Sequence, residues 1–406
     1  MFSTESYTKN KAHTGSMRVS AMQSSLIRQV FDRKRPTSIN LGLGQPSENV
    51  PSEILEEGIR QLRGSDLGYT PNAGMLSLRD KIAKYHNIPH AKAAQNVVIT
   101  CGAQEAILAV MGVCLDVGDE VIVPDPGFPG YAMAAQFLGA HVVVAPRLEA
   151  EQFCLKTSLL EERITPRTRL VVLNSPANPT GKIDAKIELD KLAALAYHHQ
   201  FWILCDEIYS EILYTTEPMP SVTQFCDRAI LVSGLSKSVA MTGFRLGYAI
   251  APDALSANLI RSHAVLTSCA PTLSQHMAHA VFQNPHLLKS HFALYTDRRT
   301  RALAALEKHI PNAQFIIPDG AFYIMLNCSE FFQNSLDSVN SLNSLDSLDL
   351  ALKILNEKDV LTTPGLAFGQ TTQNWLRLSF AGNPCDFDEG IRRIGEWICK
   401  NNHKSG

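Results

Sequence analysis

The stretch 229–250, AILVSGLSKSVAMTGFRLGYAI, holds two short apolar runs, AILV at 229–232 and RLGYAI at 245–250, on either side of a small-residue loop. That loop carries one lysine, Lys237, and the second run opens on an arginine, Arg245. Short β-branched runs bounded by glycine and serine read as buried strands rather than helices. Outward from here, toward the N-terminus, the pattern repeats. Runs at 97–100 (VVIT), 120–123 (EVIV), 141–145 (HVVVA), 170–173 (LVVL) and 201–205 (FWILC) each lead into a polar or glycine-rich loop and then a helix-like segment. Continuous apolar strands alternating with helices imply a sheet that is mainly parallel and buried on both faces. The expected fold class is α/β, with seven strands in that sheet. Ligands of open α/β sheets bind beyond the carboxyl ends of the strands, so several loops are aimed at one crevice.

From about residue 285 the pattern changes. A charged helix (HFALYTDRRTRALAALEKHI), a strand (AFYIML), a helix at 350–357 and a second strand (WLRLSF) read as a smaller α+β domain. Met22, Leu26, Ile27 and Val30 recur at helical spacing, so 17–34 reads as one amphipathic helix packing with that domain. The expected division is an N-terminal segment at 1–45, a large domain at 46–284 and a small domain at 285–406. The tract 334–349, NSLDSVNSLNSLDSLD, has a three-residue period that suits neither helix nor strand. It reads as a flexible surface insertion with no catalytic role, and repeat architecture is excluded because the period occurs only there.

Composition narrows the function. Of 406 residues, 45% are hydrophobic and 19% charged, as in a globular protein with a substantial core. The net charge of −2 and the absence of a basic tract argue against a nucleic-acid partner. No apolar run approaches the ~20 residues of a membrane span, and the polar first sixteen residues lack a signal-peptide core. Nine cysteines, none in CxxC spacing, read as reduced thiols of a cytoplasmic protein. The closest pairs among thirteen histidines, His198-His199 and His276 with His279, lack a Glu or Cys at ligand spacing, so no metal is expected.

Chemistry-bearing residues follow the strands. Lys237 in small-residue surroundings, with Arg245 eight positions on, suits an enzyme that holds pyridoxal 5′-phosphate as a Schiff base, the lysine giving the imine nitrogen and the arginine meeting the phosphate. Run 97–100 ends in Thr100-Cys101-Gly102-Ala103-Gln104-Glu105 before a helical segment, where small residues let N–H groups approach an anion; a plain tight turn is the other reading. Asp206 closes the most apolar run, where a carboxylate is costly unless a cation such as a pyridinium N–H faces it; a helix cap is the alternative. Tyr209 can reach the cofactor's phenolic oxygen, and so can Asn178, in Asn174-Ser175-Pro176-Ala177-Asn178-Pro179-Thr180-Gly181, where an ordinary turn is the other reading. Phe128 is an aromatic for the ring's face or for the core. Arg377, between apolar neighbours in a strand, needs an anion: a substrate carboxylate or a structural partner.

These motifs, with GYTPNAG, PDPGFPGY, DEIY and PGLAFG, resemble the class I/II aminotransferases among the fold-type-I pyridoxal-phosphate enzymes. The resemblance runs from Gly44 to Phe380, and GLSKSVAMTGFRLG is similar to the family's lysine attachment signature. It implies a large domain with a mostly parallel seven-stranded sheet between helices, plus a smaller α+β domain. By resemblance Lys237 is the Schiff-base lysine and proton shuttle, Asp206 the partner of the ring nitrogen, and Tyr209 and Asn178 the partners of the phenolic oxygen. Phe128 corresponds to the stacking aromatic. Gly102, Ala103, Gln104, Ser236 and Arg245 surround the phosphate. Arg377, with Gly44 and Asn178, binds the substrate carboxylate. Tyr69 corresponds to a tyrosine that reaches the neighbouring subunit's cofactor, which implies a homodimer. Gly234 departs from the serine or threonine common there, so Ser233 or Ser236 is expected to stand in.

The resemblance implies transfer of an amino group between an L-amino acid and a 2-oxo acid. The same site motifs serve elimination, racemisation or cyclisation on an amino acid, and such a reaction is the alternative. A non-catalytic module behind a DNA-binding segment is disfavoured by the short stretch before Gly44. Arg18 and Arg28 are candidates for a second cation in the substrate pocket.

Overall fold

The computed structural model describes residues 16–20, 22, 25–330 and 346–402. Seven strands form the main sheet: β1 (Val97–Thr100), β2 (Glu120–Asp125), β3 (His141–Pro146), β4 (Thr168–Asn174), β5 (Trp202–Asp206), β6 (Ala229–Gly234) and β7 (Gly247–Ile250). Their order is β1-β7-β6-β5-β4-β2-β3. The pairs from β3 through β6 are parallel, and β7 runs antiparallel to both of its neighbours. The seven strands and the α/β class match the sequence expectation.

Both faces of the sheet are covered, which is why its central strands contain so few polar residues. Val98, Val121, Val123, Leu170 and Leu204 pack on one face with helix α1 (Ala103–Cys114). Ile122, Val171, Leu173 and Ile203 face the other way, onto Leu189, Leu192 and Ala196 of α2 (Lys186–His199). Helix α3 (Asp253–Thr267) lies against α1.

The C-terminal part has its own sheet: β8 (Phe315–Ile316), β9 (Tyr323–Asn327), β10 (Thr363–Pro364) and β11 (Trp375–Ser379), in the order β10-β11-β9-β8 and antiparallel throughout. Leu376, Leu378, Ile324 and Leu326 pack in one cluster with Leu306 of α4 (Phe292–His309), Ile354 of α5 (Ser347–Lys358) and Ile391. Val30 and Leu41 also join this cluster.

Three details differ from the sequence expectation. In place of one helix at 17–34 there are two short pieces, Met17–Ser20 and Leu26–Phe31. Val30 alone among the described residues of the second piece is buried, so little burial is available to stabilise a longer helix. Residues 334–345 of the serine-rich tract lie outside the described residues. Residues 347–349 open α5, and Asp346 just before them accepts from the Leu348 and Asp349 amides at 2.8 and 3.1 Å and caps the helix. Among the described residues no helix is long and apolar enough to cross a membrane.

Candidate active site

The parallel register brings the carboxyl ends of β4, β5 and β6 side by side. Asn174 pairs with Asp206, and Asp206 pairs with Val232 on the next strand. The loops that leave these ends carry Asn178 and Lys237. The helix start at Ala103-Gln104, the Phe128 loop and β11 complete a cavity of about 390 Å³. Gly44, Ala103, Gln104, Phe128, Asn178, Asp206, Tyr209, Ser236, Lys237, Arg245 and Arg377 all line it. Gly102 lies one residue behind, and Tyr69 is elsewhere, 94% exposed.

Lys237 extends from a half-buried position to the Gly44 carbonyl, donating at 2.7 Å. Loss of water, then the nearby Arg377 and Arg245, push its ammonium down to about 8, so an appreciable share of the amine is neutral near physiological pH. Asp206 is buried and pushed up to about 6 by desolvation, although Tyr131, the Ile208 amide and Lys237 each favour its ionised form. The Tyr131 hydroxyl donates to one oxygen at 2.7 Å and the Ile208 amide to the other at 3.1 Å. Asn174 ties the strand ends together: its amide donates to the Asp206 carbonyl at 2.9 Å and its Oδ1 accepts the Asn178 amide at 2.7 Å.

Arg377 sits on an interior strand of the small sheet, opposite Met325 and Thr363. Its guanidinium donates to Asn178 Oδ1 (2.8 Å), the Gly42 carbonyl (2.6 Å) and Thr363 Oγ1 (3.3 Å). The rings of Tyr323 and Phe368 lie 4.3 and 4.8 Å from its carbon centre. No carboxylate among the described residues pairs with it, and its Nε, though buried, has no partner. Burial lowers its pKa. A planar cation held by neutral oxygens and ring faces is set to receive a bidentate carboxylate.

The corner between β1 and α1 is shaped for an anion. Gly102 has φ +84°, and a Cβ there would lie 2.6 Å from Arg245 Nη2. The first N–H groups of a helix have no intrahelical acceptor, and Ala103 and Gln104, which open α1, line the cavity together with Arg245. The residue types therefore fit pyridoxal 5′-phosphate: an anion-binding corner with a cation, an amine, a buried acid for a ring nitrogen, and an aromatic, Phe128, on the wall.

Several expectations are refined. Ser233 Oγ is buried and approaches the Glu207 carbonyl at 3.4 Å, whereas Ser236 lines the cavity. Gly234 has no room for a side chain, since a Cβ would meet the Leu246 carbonyl oxygen at 2.9 Å and the Gly247 Cα at 3.1 Å. Tyr209 shares its hydroxyl with Tyr323, 2.8 Å away. Neither Arg18 nor Arg28 lines the cavity, and the exposed Arg28 pairs with Asp32. Tyr131, Tyr323 and Asn174 were not singled out from sequence. For the two tyrosines the only available signal was position, one after the Phe128 loop and one in the strand before Arg377's neighbour.

A family model described as aminotransferase class I and II matches residues 36–394. A probable aspartate aminotransferase of Methanocaldococcus jannaschii is 32% identical over 94% of this chain and 99% of its own length. Aromatic-amino-acid aminotransferase 2 of Thermococcus litoralis is 31% identical over 93% of this chain and 96% of its own. Among solved structures, aspartate aminotransferase from Thermus thermophilus with maleate aligns with a TM-score of 0.84 at 28% identity, covering 94% of this chain and 99% of that one.

Proposed function

We propose residue roles from an established premise: this chain belongs to the class I and II aminotransferases, and it is an enzyme that moves amino groups between amino acids and 2-oxo acids. The family depends on pyridoxal 5′-phosphate. When bound, that cofactor supplies an aldehyde for an amine and a ring that takes up the electron pair released at the substrate's α-carbon.

In our reading Lys237 is the anchoring amine and the proton carrier. With its pKa near 8 it is neutral often enough to attack a carbonyl carbon, and once displaced by a substrate amine it removes the α-proton and returns it one position away. Asp206 faces the ring nitrogen and keeps it protonated; the buried carboxylate lacks a strong cationic partner and gains one on binding. Asn178 and Tyr209 serve the phenolic oxygen. Ala103, Gln104, Ser236 and Arg245, around the Gly102 corner, hold the phosphate. Phe128 covers the ring. Arg377, with Gly44 and Asn178 beside it, holds the substrate carboxylate and so orients the α-C–H bond. The carrying observation is that Lys237 lines one cavity with a buried acid and with a buried arginine that has no counter-ion among the described residues.

A homodimer is part of the same reading. Tyr69 is almost fully exposed, beside exposed Leu67 and Leu273, on a loop tied to residues 268–272 through Asn72 and Thr272. That placement suits a tyrosine reaching a neighbouring subunit's site. We divide the chain into a segment at 1–45, a large domain at 46–284 and a small one at 285–406. Nine free cysteines agree with a cytoplasmic setting.

The test is a half-reaction. A single L-amino acid added to the loaded enzyme without an acceptor should change the bound cofactor's absorbance and release one equivalent of 2-oxo acid. Lys237→Ala should abolish this, and borohydride should label the peptide containing position 237. Continuous release of ammonia would overturn transamination in favour of elimination.

A further inference from the structure

Behind the anion-binding corner lies a buried pair that none of the roles above uses. Glu105, in the first turn of α1, turns back on its own loop: one carboxylate oxygen accepts the Cys101 amide at 2.5 Å. The other meets His263 Nδ1 at 2.6 Å. His263 stands on α3, is fully buried, and its Nε2 has no partner. Among the described residues Glu105 is its one polar contact, and Nδ1 donates to an ionised Glu105 carboxylate.

A carboxylate two residues from Ala103 adds negative charge where the cavity is built for an anion. The pairing consumes both oxygens, one in an N–H and one in an imidazole, so the charge is drawn to the back of the corner and away from the cavity. At the same time it fixes the Cys101 peptide, and with it Gly102, where a φ of +84° and an Arg245 Nη2 that would stand 2.6 Å from any added Cβ leave room for glycine alone. The Thr100 hydroxyl, donating to the Gly102 carbonyl at 3.0 Å, holds the corner's other end.

We propose that Glu105 and His263 are positioning residues for the cofactor's phosphate: they set the Cys101-Gly102 corner from behind so that the helix-start N–H groups and Arg245 converge on one anion. The proposal rests on the reading of Ala103, Gln104 and Arg245 as phosphate binders, and its test separates the two.

Apo-enzyme is titrated with pyridoxal 5′-phosphate and, separately, with pyridoxal, which has the aldehyde and ring but no phosphate; binding is followed by absorbance. The readout is the ratio of the two affinities. Glu105→Ala should lower that ratio by about 10- to 100-fold, the effect of removing a hydrogen bond to a charged group, with the affinity for pyridoxal nearly unchanged. Glu105→Gln still offers an oxygen to the Cys101 amide and should recover most of the ratio. His263→Gln, which alters the far end only, should lower it by a smaller factor and serves as the decisive variant if Glu105→Ala does not fold. Equal losses for both ligands, or an unchanged ratio in the folded variants, would overturn the proposal and leave the pair as ordinary packing. If the unaltered protein itself showed no preference for the phosphorylated ligand, the phosphate-binding reading would be the one that fails.

Discussion

Two arginines of this protein are buried to the same degree and live by different rules. Arg147, in the loop after β3, makes a bidentate pair with Asp184 at 2.7 and 2.9 Å, and the same carboxylate also accepts the Leu155 amide. Arg377 has the Gly42 carbonyl, Asn178 Oδ1, Thr363 Oγ1 and two ring faces, but no anion among the described residues. A buried charge costs several kcal/mol unless it is compensated. At Arg147 the fold supplies the compensation; at Arg377 it supplies only orientation. On the proposed reading, that difference makes Arg147 a support and Arg377 a receptor.

The largest effect that can break this contrast is on catalysis. Arg377→Leu should lower kcat/KM for every α-amino acid by about 10²–10⁴-fold, as expected when one partner of a buried charge pair is truncated. The apo-protein's thermal midpoint should stay level or rise, because an uncompensated charge has left the interior. A fall in the midpoint with kcat/KM retained would make Arg377 structural. Arg147→Met should do the reverse. It strands the Asp184 carboxylate and should cost about 3–5 kcal/mol of stability in denaturant titration, with kcat/KM nearly unchanged in the folded fraction. Asp184→Leu added to it should recover much of the loss. Failure of the double variant to recover would show that the Leu155 contact, and not the ion pair, carries the energy.

The sequence made one side of this contrast legible. Asp206 and Arg377 stand out because each is a charged residue next to an apolar run, and burying a charge demands a reason; Lys237 stands out by its small-residue loop with Arg245 eight positions on. Tyr131, Tyr323 and Asn174 could not be read in that way. An aromatic in an apolar run packs into a core equally well, and its hydroxyl acquires meaning only when the fold brings a partner to it from 75 or 114 positions away. The seven strands were legible from their β-branched runs. The N-terminal helix was overdrawn, because helical spacing of Met22, Leu26, Ile27 and Val30 does not by itself provide a surface to bury against. Gly234 looked like a missing hydroxyl from sequence and is a steric requirement in the fold.

Asp206 extends the comparison to acids, and its prediction concerns pH. Its carboxyl is raised from an ordinary 3.8 to about 6 by burial, so the folded apo-protein holds a proton that the unfolded chain releases between those values. Stability from this group is therefore present at low pH and lost as pH rises from about 4 to about 6. Glu207, buried next to it and raised to about 7, has the same sign and extends the slope upward. At neutral pH, Asp206→Asn should stabilise the apo-protein by an amount on the order of 2–3 kcal/mol and flatten the lower part of the slope, while weakening cofactor retention. An unchanged slope in urea titrations across this range would mean that Asp206 is already compensated without a cofactor, which would remove the argument for its role.

The smallest effect is the most discriminating about Arg377 itself. The Tyr323 ring stands 4.3 Å from the guanidinium, and its hydroxyl is shared with Tyr209. Tyr323→Phe keeps the ring and removes the hydroxyl. If the ring face is what orients Arg377, KM for amino acids should move less than about threefold, since a cation–π contact of roughly 0.5–2 kcal/mol is retained. The Tyr209 hydroxyl, deprived of its partner in a buried place, should destabilise the apo-protein by about 1 kcal/mol. In the loaded enzyme that cost should shrink, because Tyr209 would then donate to the cofactor's phenolic oxygen instead. Equal destabilisation of apo and loaded forms would show that Tyr209 never leaves Tyr323 and would assign the phenolic oxygen to Asn178 alone.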